Sequence, residues 1–196
     1  MCKNGEMQTA GKNFHTGMLY FPGPNVLYYP YLGRILPFCR KNRRSSITSA
    51  TSPPFILNDN VALAAQCGAD GVHLGQEDMD PAQARGILGP DAIIGVSAHN
   101  VAEAKAAVAA GADYLGCGAM FATTTKTNVT ALPKETLRAI CAAVPVPVVA
   151  IGGISKQNLL SLAHCGEAGV ALASAIFAAE DIEQECRELR RLAEML

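Results

Sequence analysis

Net charge is almost absent from this sequence: 16 Lys or Arg against 17 Asp or Glu leave −1 at pH 7. A chain so balanced has no overall field for nucleic acid or a membrane surface, and neither is expected as a partner. Long apolar runs are missing too. None approaches the roughly 20 residues needed to cross a bilayer. The first residues lack the apolar core and small-residue cleavage site of a secretory leader, so the expected location is cytoplasmic. The seven cysteines (2, 39, 67, 117, 141, 165 and 186) form no CxxC. Odd in number and set mostly in apolar segments, they read as reduced, buried thiols rather than a zinc site or disulfides. None has a convincing base nearby in sequence, which argues against a cysteine nucleophile. What is present is 49% hydrophobic and 17% charged residues over 196 positions, the composition of a globular chain that can bury a sizeable core.

The charge balance hides two unlike parts. Residues 1–50 carry seven Lys or Arg and one acid, Glu6, whereas the remainder carries nine bases and sixteen acids. The first part also lacks a sustained period of two or 3.6 residues. Its Gly23-Pro24-Asn25 and Arg43-Arg44-Ser45-Ser46 stretches are turn or coil markers. The basic run Arg40-Lys41-Asn42-Arg43-Arg44 reads as a solvated loop or, less simply, a phosphate contact. The expected division is an atypical basic segment over 1–53 and a regular unit over 54–196.

From residue 55 onward, short apolar runs recur about every 20 residues, each followed by an Ala-rich helical pattern, with one longer step. The spacing predicts strands at 55–57, 71–74, 92–96, 114–116, 147–151 and 170–173, the repeat of a βα unit. Asp80 before Pro81, and Asn100 with Glu103, mark helix starts. Ser155 is expected to cap a helix ending at Gly166. Residues 181–196 place Ile182, Cys186, Leu189, Leu192 and Met195 on one stripe. Strands this apolar, alternating with helices, form a parallel sheet under a helical layer, either doubly wound or closed as a (β/α)8 barrel.

Unusual polar residues cluster after the strands, where such folds collect ligands. Asn58 and Asp59 follow the first; Gln76, Glu77 and Asp78 the second; Ser97 the third; Thr123-Thr124-Thr125-Lys126 the fourth. Gly152-Gly153 follows the fifth and Ser174 the sixth. Contributions from so many successive strands converge only if the sheet closes, which favours the barrel. Asp59 alone could cap a helix and Asp78 could merely shape a turn; together, on adjacent units, they suit Mg2+, which takes one or two carboxylates plus substrate phosphates. Hydroxyls beside one cation at 123–126 suit phosphate oxygens, or form a polar loop. Gly152-Gly153 offers backbone N–H groups to an anion, or a tight turn. Ser97 is a ligand donor or a cap. His73 reads first as a packed, hydrogen-bonded core histidine and second as a catalytic one; His99 as a loop residue or one at the pocket mouth. With two phosphate-type sites and no evident nucleophile or base, the residues suit a reaction in which pyrophosphate departs with metal help.

The runs FILNDNVALAAQCGADGVHLGQEDMD, GPDAIIGVSAHNVAEA, GADYLGCGAMFATTTKT, VPVVAIGGIS and GVALASAIF closely resemble thiamine-phosphate synthase over about residues 54–196. The resemblance implies a TIM (β/α)8 barrel and a transferase of thiamine biosynthesis. This couples hydroxymethylpyrimidine pyrophosphate to thiazole phosphate, with Mg2+, and releases pyrophosphate. It implies that Asn58, Ser97 and Lys126 contact the pyrimidine pyrophosphate and that Asp59 and Asp78 hold Mg2+. The thiazole phosphate would lie against Thr123, Thr125, Gly153 and Ala173-Ser174, and Thr124 would be a further substrate-binding residue. Lys126 and Ser97 would carry the catalytic roles. The chemistry implied is dissociative, through a pyrimidine methyl cation.

The sequence departs from the family at Ala122, where proline is usual, and at Ala173, where a larger aliphatic is usual. More importantly, residues 1–50 lack the Gln-x-Arg-x-Lys-like motif that ends the family's second strand. The six predicted units then correspond to barrel strands three to eight, with the first two units missing or atypical. A thiazole tautomerase-like barrel and an inactive, truncated synthase that only binds phosphates are the alternative readings.

Overall fold

In the computed structural model, the described residues are 54–122 and 131–196. Six parallel strands, β1 (Ile56–Asn58), β2 (Gly71–Leu74), β3 (Ile93–Ala98), β4 (Tyr114–Gly118), β5 (Val148–Ile151) and β6 (Gly169–Ala171), form one sheet in the order of the chain. A doubly wound sheet reverses its strand order at a switch point; this one never does. The result is an α/β half-barrel.

Strand alternation divides the side chains into two layers. Leu57, Val72, Leu74, Ile94, Val96, Leu115, Cys117, Val148, Ala150 and Val170 belong to one buried cluster that includes the helices. The alternate positions Tyr114, Val149 and Ala171, with Ile93 and Ile151, form a second cluster on the inner face. Small residues on the helices, such as Ala64, Ala84, Ala104 and Ala107, are buried against the outer layer.

The helix boundaries follow local chemistry. Helix α1 (Val61–Cys67) starts at Asn60, whose Oδ1 accepts from the Leu63 N–H at 2.9 Å, and ends on Gly68 at φ 65°. The cap is therefore Asn60 and not Asp59. Helix α2 (Pro81–Leu88) has Asp80 Oδ1 accepting from the Ala82 and Gln83 amides, with proline at its first position. At the start of α3 (Val101–Ala109), Asn100 accepts from the Glu103 N–H while the Glu103 carboxylate receives His99 N–H, at 2.8 Å, and the Asn100 amide. This is the predicted reciprocal cap, widened by one residue. Helix α4 (Lys134–Ala143) buries Leu137 and Ile140. After α5 (Ser174–Phe177), the terminal helix α6 (Ile182–Ala193) is capped by Asp181.

Three expectations are corrected. No long helix runs from Ser155 to Gly166: only a 3-10 turn at Leu159–Leu162 forms, and Asn158 rather than Ser155 supplies the side-chain bond, accepting from the Ser155 N–H at 2.8 Å. Strand β3 runs two residues further than its apolar pattern, to Ala98, so Ser97 lies inside the strand; β6 stops at Ala171, two residues early. Along α6, Leu189 is buried, but Ile182 and Met195 are exposed, so the apolar stripe meets the core only in its middle.

Away from the strand ends that concern function, Arg85 ties the opposite side together. Its guanidinium donates to the Pro90, Ala92 and Gly111 carbonyls and to Asp113 at 2.8–3.0 Å, and Asp113 in turn accepts from the Ile94 N–H. Five donors in a fixed fork suit one such hub.

Among the described residues the five cysteines are free thiols, with Cys67, Cys117 and Cys165 buried. Burial, reinforced by Cys141 and Glu103, pushes Cys117 up to about 12; burial, then Glu167, pushes Cys141 up to about 11. A raised folded value favours the neutral thiol. This contribution is complete below the ordinary value of 9.0 and is lost as pH climbs through the folded values. The melting temperature should therefore fall from about pH 9 towards about pH 12, with a shallower fall in Cys117→Ala. An unchanged slope in that variant would refute the assignment.

Candidate active site

The inner face of the sheet and the loops beyond its C-terminal edge bring several of the expected residues together. Asn58 ends β1, in register with His73 on β2, which is in register with Gly95 on β3, itself opposite Tyr114 on β4. One step further along, Ser97 pairs with Gly116. Asn58, His73, Ser97 and Tyr114 thus share the concave side.

His73 is the one buried polar side chain among the described residues, at 6% exposure. Its Nδ1 lies 3.0 Å from the Tyr114 hydroxyl and its Nε2 3.0 Å from Ser97 Oγ. The two rings are tilted at 37°, with centroids 5.4 Å apart. The core reading of His73 holds, with the addition that it touches a candidate site residue. Gln76, from the loop after β2, donates through Nε2 to the Ser97 carbonyl at 2.5 Å. His99 pairs instead with Glu103, at 2.9 Å, and belongs to the α3 cap.

At the end of β1, Asn58 Oδ1 is buried and has no hydrogen-bond partner. A buried carbonyl oxygen left so costs on the order of 1–3 kcal/mol, which a ligand would recover. Asp59 follows at φ 63°, a left-handed backbone that asparagine and aspartate tolerate better than other side chains do. Its side chain is exposed, and its N–H is bonded to the His73 carbonyl at 2.8 Å. Asp78 is exposed and accepts from the Gly75 N–H at 2.6 Å, so it does shape the turn after β2. That bond uses one carboxylate oxygen, Oδ2.

Gly152 and Gly153 both have positive φ, 94° and 66°. They do not head a helix, contrary to the expectation, because only a 3-10 turn follows. Instead they lie against the loop after β4. Phe121 N–H donates to the Gly152 carbonyl at 3.0 Å, and a Cβ on Gly153 would sit 2.5 Å from the Ala122 carbonyl oxygen. Asn158 Nδ2 donates to the Gly153 carbonyl at 2.9 Å. The chain immediately before Thr123 is therefore seated on Gly153. Thr123, Thr124, Thr125 and Lys126 lie outside the described residues. Ala173 and Ser174 follow β6; Ala173 O accepts from Ile176 and Phe177, and the Ser174 side chain is exposed.

The residue missed in the sequence is Tyr114. It opens an apolar strand and so resembles any core aromatic. Its mark is the glycine at each neighbouring inward position: a Cβ on Gly95 would lie 2.1 Å from Tyr114 Cζ, and one on Gly116 2.9 Å from His73 Cε1.

The donor set can be tested against Mg2+. Asn58, Asp59 and Asp78 offer only hard oxygen ligands, one of them a buried amide oxygen without a partner. Among the described residues, no group of three or more His, Cys, Asp or Glu is gathered as an all-protein metal cage. Mg2+ bound by one or two carboxylates plus substrate phosphates needs no such cage, and the oxygen donors of Asp59 and Asp78 are of the type it takes.

The sequence model of the thiamine monophosphate synthase family matches residues 40–176. Curated relatives named thiamine-phosphate synthase include one from Lacticaseibacillus paracasei, 47% identical over 144 residues and covering 74% of this chain and 68% of the relative. Another, from Chloroflexus aurantiacus, is 47% identical over 147 residues with the same coverage. The solved structure of thiamine phosphate pyrophosphorylase from Pyrococcus furiosus matches with a TM-score of 0.65 at 42% identity, over 71% of this chain and 66% of that one. The chain thus spans about two-thirds of the length of these relatives. With a family match across most of its length, the chain belongs to the thiamine monophosphate synthase family.

Proposed function

We propose that this chain is a thiamine-phosphate synthase, joining hydroxymethylpyrimidine pyrophosphate to thiazole phosphate on a barrel of the (β/α)8 type. The observation that carries the reading is the buried, unpartnered Asn58 Oδ1 beside Asp59, on the inner face it shares with Ser97. An oxygen with unused lone pairs at that place is what an incoming donor or cation would meet.

In this reading the bond between the pyrimidine methylene carbon and the pyrophosphate oxygen breaks, and its electron pair leaves with pyrophosphate. The thiazole nitrogen then gives its lone pair to the methylene carbon. Asn58 and Ser97 hold the pyrimidine pyrophosphate in the mouth of the half-barrel. Lys126 balances the charge that grows on the leaving group, the kind of fixed electrostatic help that usually dominates such steps. Asp59 and Asp78 would hold Mg2+, which when bound neutralises pyrophosphate charge. Thr123, Thr124, Thr125, Gly153, Ala173 and Ser174 receive the thiazole phosphate. What supports this role for Gly153 is that it lies where the loops after β4 and β5 run side by side. No protein nucleophile is required, which agrees with the neutral, buried state of Cys117, the one described cysteine within a strand.

The test is product formation by the purified 196-residue chain supplied with both phosphorylated substrates. Thiamine phosphate that appears with Mg2+ and disappears on chelation is the expected result. A chain that melts cooperatively yet makes no product would overturn the proposal.

A further inference from the structure

The hydroxyl of Ser97 does not stand alone. It ends a line of three polar side chains crossing the inner face of three neighbouring strands: Tyr114 hydroxyl to His73 Nδ1, and His73 Nε2 to Ser97 Oγ, each 3.0 Å. The fold makes room for this line at two positions. Gly95, between His73 and Tyr114 in the register, leaves the space that the tyrosine ring occupies. Gly116, opposite Ser97, leaves the space for the imidazole. The third atom of support is the Ser97 carbonyl, held by Gln76 Nε2. A partner at each nitrogen is what burial of any imidazole asks for; the two glycines beside it are specific to this line.

The direction of the protons along the line decides what Ser97 can offer. A neutral imidazole has one N–H and one lone pair, so it accepts on one side and donates on the other. A phenol O–H is a better donor than an imidazole N–H, and an imidazole nitrogen a better acceptor than a phenol oxygen. Tyr114 then donates to Nδ1, the proton of His73 sits on Nε2, and Nε2–H donates to Ser97 Oγ. With its oxygen so engaged, Ser97 has its own O–H left to turn into the pocket.

We infer that Tyr114 and His73 are positioning residues that make Ser97 a dedicated hydrogen-bond donor, selecting a substrate atom with a free lone pair, such as an unprotonated ring nitrogen or a pyrophosphate oxygen, over an N–H or O–H group. The inference rests on the proposed synthase reading for its substrate, but not for its proton arrangement. With the proton of His73 on Nδ1 instead, Nε2 would take the serine hydrogen, and Ser97 would face the pocket as an acceptor.

Two measurements test this on the full chain. Nitrogen-15 NMR of the histidine side chains, with His73 assigned by its loss in His73→Gln, reads the tautomer without any turnover. A neutral ring protonated at Nε2 is expected; a ring protonated at Nδ1, or a charged ring, overturns the inference. The second is a double-mutant cycle on synthase activity. His73→Gln and Tyr114→Phe should each lower kcat/KM about tenfold, the scale of one well-aimed hydrogen bond, and should change it by less than about twofold in a Ser97→Ala background. Equal losses in both backgrounds would mean that His73 acts on the structure and not through Ser97. Should the unmodified chain make no product, the proposed function fails, and the tautomer still decides the present inference.

Discussion

Exchanging Asp59 or Asp78 for asparagine should lower thiamine phosphate formation by about a hundredfold or more, the usual scale for removing one electrostatic contact to a developing charge. Folding should be untouched. Asparagine tolerates the left-handed backbone of Asp59 at φ 63°, and its side-chain oxygen replaces the carboxylate oxygen that receives the Gly75 N–H at position 78. The two exchanges therefore remove charge with little change of shape. Asn60→Ala is the matching control: it removes the cap of α1, at a cost of about 1 kcal/mol, and leaves turnover in place. Steady-state rates across a Mg2+ titration, alongside thermal melts, separate these outcomes. Full activity in both asparagine variants would remove the carboxylates from the mechanism.

The second large effect concerns stability. Gly95→Ala puts a methyl carbon 2.1 Å from Tyr114 Cζ, in a ring that is only 2% exposed and has no room to swing away. Overpacking of this kind costs about 1–3 kcal/mol and sometimes more. At the upper end, a chain of this size would lose roughly 6–12 °C of melting temperature. Gly86→Ala is the counterpart: it lies within α2, nothing stands within 4 Å of the added carbon, and the helix gains about 0.5–1 kcal/mol from the exchange. If both variants melted alike, the inner face would not be as tightly packed as the geometry requires.

The strands were readable because a parallel sheet buried on both faces leaves nearly unbroken apolar runs. All six appear within two or three residues of where the runs fall. Two caps were readable for a different reason: Asp80 and Asn100 are short side chains that satisfy amides three residues away. Asn60 was obscured by Asp59 next to it, since both residues cap well and only the backbone decides between them. The turn at 159–162 defeated a reading by period because its leucines, at 159 and 162, are buried in 3-10 spacing as readily as in α.

Of the site, the places of Asn58 and Ser97 on one face of neighbouring strands followed from the strand pattern. The partnership of His73 with Ser97 and Tyr114 did not, because it joins residues 24 and 41 positions apart. Only the register of three strands places them together. The glycines at 95 and 116 were visible, but a glycine in a strand has many uses until its neighbour across the sheet is known.

The order of the sheet carries a kinetic consequence. Each strand lies beside the strand nearest to it in sequence, so every pairing closes a loop of a few tens of residues, and low sequence separation favours rapid, stepwise assembly. Growth can start at β3 and β4 and spread outward one unit at a time. Among the described residues β1 and β6 are bonded along one side only. A ligand that reaches from Asn58 to Ser97 would tie β1 to β3 across the strand between them, and amide exchange in β1 should slow when it binds.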